Sequence, residues 1–301
     1  MSRPRPNDCK VILVTRRTRL NELVERFNTQ EQARFYVERL GADFQDYLAE
    51  DHQYQLAIRE AVQAIETAAR VHRLDRRYLP NFVFGPEDIV VALGQDGLVA
   101  NTMKYLDGQP LIGVNPDPAR WDGQLLRFRT AHLAEIVDGV ARQARPTREV
   151  SMAEARLNDG QLLCAVNDLF IGPNSHISAR YVIQQKEQSE THSSSGIIVS
   201  TGLGSTGWYR SLVAGRGAEY RPFPWDADYL MYTVREPFPS RTTGVSMLTG
   251  PVSNKAPLVL HSLMAERGVI FSDGIESDFL QFNAGAIVTI QLAQRRGQLV
   301  V

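Results

Sequence analysis

An acidic turn bracketed by glycines follows a short apolar segment in the first third of the chain. The segment reads DIVVALGQDGL over residues 88–98 and continues into a helix-like stretch from Val99 to Leu106. In an open parallel sheet, the loop between a strand and the next helix is a common phosphate site, because glycines let the backbone approach the ligand. Asp96 could there accept a proton from a hydroxyl nucleophile or hold a metal ion that carries phosphate. By itself, Gly-x-Asp-Gly fits an ordinary turn equally well.

A polar pair interrupts an apolar segment near the middle of the chain. Asn167 and Asp168 lie within CAVNDLFI, residues 164–171. Burying an amide and a carboxylate without partners costs several kcal/mol, so such a pair is expected at a strand end, at a turn or against a polar ligand. An Asx-type turn is the structural alternative. As a ligand site, the amide offers a donor and an acceptor to an adenine edge, and the carboxylate offers acceptors to ribose hydroxyls.

A loop rich in Gly, Ser and Thr follows a β-prone segment over residues 193–211, SSSGIIVSTGLGSTGWYRS. Such a loop can wrap a polar ligand with backbone N–H groups, and Trp208 could cover a base or ribose. A plain connection from strand to helix is the alternative. The loop is not a Walker A motif, and Ser205 lacks the Gly-x-Ser-x-Gly spacing of a hydrolase nucleophile. The later FSDG, residues 271–274, is interpreted as a turn.

Composition excludes several classes of protein. The chain has 301 residues, and 33 basic against 34 acidic side chains give a net charge of −1, so a nucleic-acid partner is not expected. Cys9 and Cys164 form no disulfide framework, and the histidines show no zinc-ligand spacing, so we predict no protein-bound metal. No segment has the length of a signal sequence or a membrane span. We therefore expect a cytoplasmic protein that does not contact a membrane.

The first half of the sequence alternates strand-like and helix-like segments. KVILVT at residues 10–15 predicts a buried strand, and a helical region is predicted from there to about His72. Further strands are predicted at Phe82–Phe84, Ile89–Leu93 and Pro110–Asn115, with a helix over residues 98–106. This βαβ pattern predicts a parallel sheet in an α/β domain over residues 1–145. A helix-like segment at residues 130–143 ends before Pro146.

The second half changes character after this proline. Its segments are short, β-prone and separated by Gly, Pro, Asn or Ser, which predicts a mostly antiparallel β-rich domain over residues 146–301. The predicted strands cover residues 161–166, 178–184, 196–201, 229–234, 257–260, 268–271 and 286–292.

Taken in order, these motifs resemble those of the NAD kinase family, over about Lys10 to Leu292. Members of that family have a GGDGT turn, an Asn-Glu or Asn-Asp pair and a TGSTAY-like loop. The matching segments here are residues 94–98, the pair at 167–168 and residues 203–208. GVNPDP at 113–118 and Arg-Glu-Pro at 235–237 resemble the mitochondrial-type branch most.

The resemblance implies an N-terminal Rossmann-like parallel-sheet domain and a C-terminal β-rich, sandwich-like domain. It implies transfer of the γ-phosphate of ATP, with Mg²⁺, to the 2′-hydroxyl of the adenosine ribose of NAD, which gives NADP. Asp96 would be the catalytic base, Asn167 would bind the adenine and Asp168 the ribose. The other implied binding residues are Gly94, Gln95 and Gly97 at the phosphates, and Thr206, Gly207, Trp208 and Ser211 in the NAD pocket. A homodimer or homotetramer is also implied.

Departures from the family motif leave alternatives open. Gln95 replaces the second glycine of the turn and Leu98 replaces its threonine, so the chain could be an NAD(P)-binding sensor that no longer positions ATP. A lipid or sphingoid-base kinase shares the GGDG turn but lacks the other motifs. The sequence leaves the phosphoryl donor and the choice between NAD and NADH open. It also leaves open whether RRTR, residues 16–19, binds donor phosphates or caps a solvated helix.

Overall fold

The computed structural model describes residues 9–215, 217 and 219–301, which form two compact units. The first unit comprises the chain up to Arg148 together with Gln298–Val301, and the second comprises Glu149–Gly297. The last four residues therefore differ from the sequence interpretation, which placed them in the β-rich domain. The reason is that the final strand pairs with a strand of the first unit, where Leu299 lies opposite Leu111.

A sheet with helices between its strands forms the first unit. Its strands are β1 (Lys10–Thr15), β2 (Arg70–Asp75), β3 (Ile89–Leu93), β4 (Pro110–Asn115), β5 (Phe128–Arg129), β6 (Thr147–Val150) and β19 (Gly297–Val300). Its helices are α1 (Arg19–Phe27), α2 (Gln30–Arg39), α3 (Phe44–Glu66), α4 (Asp96–Met103) and α5 (Leu133–Ala141). The strand order is β2-β1-β3-β4-β19-β6, with β5 beside β4. Strands β1 to β4 pair in parallel, as the βαβ pattern predicted.

Continuous apolar runs explain the central strands of this sheet. Every residue of β3 is buried, as is β1 from Val11 onward, which is the pattern of parallel strands covered on both faces. Helix α3 covers one face with Tyr54, Ile58, Ala61 and Ile65, which recur at helical spacing and pack against the strands.

Two expectations about the first half were wrong. The helical region does not reach His72, because helix α3 ends at Glu66 and β2 follows at residues 70–75. This strand lies at the sheet edge and is largely exposed, so it lacks the apolar run that identifies a buried strand. Phe82–Phe84 is not a strand either; its rings pack together, and Phe82 also stacks on His72 at 5.6 Å.

The second unit is mostly antiparallel β structure, as expected. Its strands are β7 (Ala153–Leu157), β8 (Leu162–Ala165), β9 (Asp168–Pro173), β10 (Ala179–Gln185), β11 (Gln188–Ser194), β12 (Ile197–Ser200), β13 (Leu230–Val234), β14 (Thr249–Val252), β15 (Leu258–Ser262), β16 (Gly268–Ser272), β17 (Ile275–Gln281) and β18 (Ile287–Leu292). One sheet has the order β11-β10-β15-β18-β7-β8 and another has β14-β13-β12-β9-β16-β17. Apolar side chains from both sheets form one shared core, which confirms the sandwich-like prediction. Helix α6 covers Trp208–Gly215.

No helix in the described part of the chain is both long enough and apolar enough to cross a membrane.

Within the second unit, the Glu190 carboxylate on β11 holds the surface segment at Ser246 and Met247 by hydrogen bonds. Its carboxylate accepts hydrogen bonds from the N–H and hydroxyl of Ser246 and from the N–H of Met247, at 2.8 to 3.2 Å. The buried His192 ring also contacts it. Burial opposes ionisation, but these hydrogen bonds outweigh it and lower the pKa of Glu190 to about 2.

We expect Glu190→Gln to lower the free energy of unfolding by about 2 kcal/mol at neutral pH, because the amide group presents a donor where acceptors are needed. Since the folded-state pKa is depressed, this stabilisation is present above the unfolded pKa of roughly 4.3 and is lost as pH falls through about 2. Urea unfolding at pH 7 and pH 3 measures both effects. Glu187→Gln, in an exposed turn, is the control; equal losses in the two variants would contradict the prediction.

Candidate functional site

The carboxyl ends of β1 and β3 are adjacent in the first sheet. From β1 the chain continues to β2 on one side, whereas from β3 it continues to β4 on the other side. Open α/β sheets bind ligands at such a reversal of strand order. The Tyr54 hydroxyl joins the two strand ends, because it donates to the carbonyl of Leu93 at 2.8 Å and accepts from the N–H of Arg16 at 2.9 Å.

The predicted glycine turn lies at this point. Gly94 leaves β3 with its N–H bonded to the carbonyl of Val114 at 3.1 Å, and helix α4 begins at Asp96. The backbone of Gln95 has φ −111° and ψ 165°, which any L-residue adopts, so its Cβ introduces no strain. Leu98 is buried and lies beneath Gly94. Gly97 is exposed at the start of the helix.

Asp96 holds a second loop in place. Its Oδ2 and Oδ1 accept hydrogen bonds from the N–H groups of Gln124 and Leu125, each at 2.9 Å. Gly113 on β4 makes this approach possible, because a Cβ there would lie 2.0 Å from the carbonyl oxygen of Leu125. The Asp96 carboxylate is thus fixed in orientation and half-buried rather than enclosed.

The Asn167–Asp168 pair lies at a strand end, one of the positions expected for it. Strand β8 ends at Ala165 and β9 begins at Asp168, so Asn167 occupies the connection. The Asp273 carboxylate accepts from the N–H groups of Val166, Asn167 and Asp168, at 3.1, 2.6 and 3.4 Å. The connection is therefore held by a side chain about a hundred residues away in sequence.

The Gly-rich loop packs directly against Asn167. The Thr201 hydroxyl donates to the carbonyl of Val166 at 2.6 Å and accepts from the N–H of Gly204 at 3.1 Å. The backbone at Gly204 lies so close to Asn167 that only glycine fits, since a Cβ there would lie 2.0 Å from the carbonyl oxygen of Asn167. The second unit thus brings together the polar pair and the loop that sequence reasoning singled out separately.

The Asp168 carboxyl group is buried at this place. Only 7% of its surface is exposed. Burial, and secondly the charge of Asp273, raise its pKa to about 7. A strongly shifted carboxyl beside a glycine-rich loop is a feature of functional sites.

Trp208 lies in an aromatic cavity of about 470 Å³ within the second unit. Its ring stacks on Phe170 at 5.9 Å, and Phe170 stacks on Phe271 at 4.8 Å. The Arg235 guanidinium lies 5.3 Å from the Trp208 ring centroid. This arrangement presents flat apolar faces, with the Arg235 guanidinium and the Glu276 carboxylate both at the cavity, which suits an aromatic ligand that carries polar groups.

The remaining predicted loop residues differ in exposure. Thr206, Gly207 and Ser211 are exposed, and Trp208 is half-buried. Ser205 is buried and donates to the carbonyl of Gly202 at 2.7 Å, so it has a structural role. These assignments to ligand binding stay predictions.

Sequence reasoning did not single out Tyr54, and it gave no site role to Asp273 or Arg235, although it noted the segments FSDG and Arg-Glu-Pro that contain them. FSDG was interpreted as a turn, and it is one, because Asp273 and Gly274 have φ of 55° and 71°. Only the Asp-Gly dipeptide after a β-prone run pointed to this position. The residues to which Tyr54 and Asp273 bond lie far away in sequence, and no local pattern reveals them.

No group of three or more His, Cys, Asp or Glu side chains suited to a metal ion occurs among the described residues.

Fold and sites together define a class: a two-unit protein with a parallel α/β sheet carrying an acidic glycine turn, and a β sandwich carrying a polar pair beside a glycine-rich loop. Comparisons with known proteins agree with this class. No family model matches the chain. An NAD kinase of Chlorobium phaeobacteroides (strain BS1) is 29% identical over 133 residues, which are 42% of this chain and 45% of that protein. The match therefore spans less than half of that relative.

Solved structures are similar over nearly the whole chain. The crystal structure of an NAD kinase from Archaeoglobus fulgidus in complex with ATP has a TM-score of 0.60 and 15% identity, covering 97% of this chain and 93% of that one. Yeast NADH kinase complexed with NADH has a TM-score of 0.58 and 13% identity, covering 98% and 84%. The resemblance to NAD kinases is thus confirmed, in sequence over part of the chain and in fold over nearly all of it. The closer likeness to the mitochondrial-type branch stays a prediction.

We expect the Asp168 carboxyl to titrate near pH 7, and Asp273→Asn to lower its pKa by about one unit by removing a like charge. The asparagine keeps an oxygen that can accept from the Asn167 N–H. Because the folded pKa is raised, the contribution of Asp168 to stability is full below the unfolded pKa of roughly 3.9 and is lost as pH rises through about 7.

Carboxyl carbon chemical shifts followed by NMR from pH 3 to pH 9 measure this titration. Asp159→Asn, an exposed carboxylate of the same unit, should leave the pKa of Asp168 unchanged. A pKa near 4 for Asp168 in the unmodified protein would contradict the prediction.

Proposed function

We propose that this protein is an NAD kinase, which transfers the γ-phosphate of ATP to the 2′-hydroxyl of the adenosine ribose of NAD and so forms NADP. The observation that carries the proposal is the position of Asp96, at the first turn of a helix where the strand order of a parallel sheet reverses. The partial sequence match to an NAD kinase and the shared fold support it.

Asp96 acts as the base in this reaction. The N–H groups of Gln124 and Leu125 fix its carboxylate, while each oxygen keeps a further lone pair for a hydroxyl proton. Transfer of a phosphoryl group depends mainly on position and on stabilising charge, so a carboxylate fixed before the ligand binds is favourable.

Asn167 and Asp168 bind the adenosine part of NAD. The amide of Asn167 has a donor and an acceptor for the adenine edge, and hydroxyls of the ribose can donate to Asp168. Such donors favour the ionised carboxylate, so ligand binding offsets the burial that raises the pKa of Asp168. The exposed loop residues Thr206, Gly207 and Ser211 line the dinucleotide, and Trp208 covers one of its rings.

The departures in the glycine turn are compatible with catalysis. Gln95 takes an ordinary backbone conformation, and Leu98 replaces a hydroxyl by buried packing without displacing the turn. The sensor hypothesis rested on these residues and is therefore not favoured. A lipid or sphingoid-base kinase is not favoured either. The polar pair packs against the glycine-rich loop, as expected if the two segments bind a dinucleotide together.

Mg²⁺ enters as part of the ATP complex and offsets the phosphate charge. We extend the proposal to a homodimer or homotetramer, which the resemblance to NAD kinases implies.

We expect Asp96→Asn to lower kcat for NADP formation by about a hundredfold or more, because the amide cannot accept the proton. The assay contains NAD, ATP and Mg²⁺, with an NADP-specific dehydrogenase as reporter. Asp122→Asn is the matched control, since Asp122 is exposed in the loop that Asp96 holds. It should retain wild-type kcat.

A direct NAD-binding measurement accompanies the assay, because Asp96 also bonds to the loop backbone. Retained NAD affinity with lost turnover assigns Asp96 to the chemistry. NAD binding by the unmodified protein without any NADP formation would contradict the kinase proposal and would favour an NAD-binding protein.

A further inference from the structure

The segment over residues 220–227 packs against the glycine-rich loop of the second unit. The Tyr220 hydroxyl donates to the carbonyl of Ser205 in that loop at 2.7 Å. The backbones of the two segments also meet at Gly202, because a Cβ there would lie 1.7 Å from the carbonyl oxygen of Pro224. A part of the chain that carries none of the sequence motifs thus contacts the loop assigned to NAD.

Hydrogen bonds from two distant residues fix the far end of this segment. Ser151 donates from its N–H to the carbonyl of Trp225 at 2.8 Å and from its hydroxyl to that of Ala227 at 2.6 Å. The Arg296 guanidinium donates to the carbonyl of Asp226 at 2.9 Å. Because these donors lie outside the glycine-rich loop, the segment is an independent support for it.

The Tyr220 side chain is itself restrained. It is half-buried, and the guanidinium of Arg210 on helix α6 lies 5.6 Å from its ring centroid. This cation–π contact limits the positions that the ring can take. The hydroxyl is therefore directed at the loop before any ligand binds.

Hydrogen bonds within the loop fix its internal shape. The N–H of Gly204 donates to the Thr201 hydroxyl at 3.1 Å, and the N–H of Gly207 donates to the carbonyl of Gly204 at 2.9 Å. The bond from Tyr220 differs from these, because it comes from the neighbouring segment and so links the loop to a fixed support.

This bond sets the direction of one peptide group in the loop. Ser205 is buried and Thr206 is exposed, so the peptide group between them crosses from the interior to the surface. In a planar trans peptide group the carbonyl and the N–H point in opposite directions. Holding the Ser205 carbonyl therefore also orients the Thr206 N–H. Backbone N–H groups of this kind are the donors with which loops bind anionic ligands.

We propose that Tyr220 is a positioning residue for NAD, which holds the peptide group between Ser205 and Thr206 in the orientation that binds the dinucleotide. The inference rests on the proposed function, because it takes NAD as the ligand of this loop. Tyr220 acts through the loop and has no part in phosphoryl transfer. Its hydroxyl therefore affects NAD affinity and leaves the chemical step at Asp96 unchanged.

Isothermal titration with NAD in the absence of ATP measures the effect on binding. We expect Tyr220→Phe to weaken the Kd for NAD about fivefold, because one hydrogen bond that orients the loop is lost. Tyr229→Phe is the matched control: it removes the same hydroxyl from a half-buried tyrosine of the same unit, whose ring stacks on Phe223 at 5.0 Å. This control should bind NAD as the unmodified protein does.

Hydrogen exchange of the backbone amides, followed by mass spectrometry without ligand, tests the physical cause. We expect the peptide that covers residues 203–208 to exchange about fivefold faster in Tyr220→Phe than in the unmodified protein or in Tyr229→Phe. Unchanged exchange in this peptide would overturn the proposal. Faster exchange throughout the second unit would also overturn it, because the hydroxyl would then stabilise the unit in general.

Steady-state kinetics separate this inference from the proposed function. A KM for NAD raised about fivefold in Tyr220→Phe, with kcat and the KM for ATP unchanged, supports both proposals. NADP formation with an unchanged KM for NAD, or with a lowered kcat alone, overturns the role of Tyr220 while the kinase stands. Weaker NAD binding in Tyr220→Phe, without NADP formation by any variant, leaves the role of Tyr220 standing and overturns the kinase. Equal weakening in Tyr229→Phe overturns the role of Tyr220, because the loss would not depend on the bond to Ser205.

Discussion

The Tyr54 hydroxyl joins the ends of β1 and β3, and the candidate site of the first unit depends on this contact. It bonds at once to the backbone after β1 and to the last carbonyl of β3. Burial raises the pKa of Tyr54 to about 12, so the hydroxyl keeps the proton that it donates to Leu93. The two strand ends are thereby held together where the strand order reverses. Arg16 directly follows β1 at this point, and the glycine turn lies between β3 and helix α4.

Carboxylates that accept backbone N–H groups organise the loops of both units. Asp96 holds the loop at Gln124 and Leu125, and Asp273 holds the connection that carries the polar pair. Glu190 holds the segment at Ser246 in the same manner. A charged acceptor forms stronger hydrogen bonds than a neutral one, so a single side chain can order several residues of irregular backbone. In each case the carboxylate is distant in sequence from the loop that it orders.

The two candidate ligand sites achieve preorganisation by different means. In the first unit, buried ion pairs such as Arg16 with Glu50 hold cationic groups at the edge of the sheet. Removing one partner of such a pair would leave a buried charge, so the arrangement resists change. In the second unit, close approaches at Gly204 and stacking of Trp208 on Phe170 set the shape of the site. Charge dominates at the first site and shape at the second.

The sequence by itself determined the buried strands and the residues that form the glycine turn, the polar pair and the glycine-rich loop. Apolar segments such as Ile89–Leu93 and Pro110–Asn115 predicted buried strands of the parallel sheet, and their observed bounds match the predicted ones. Tertiary structure alone decided the edge strand β2, the return of the last strand to the first sheet, and the role of Asp273. These depend on pairing and on hydrogen bonds between distant segments, for which a local run of residues carries no periodic or apolar signal.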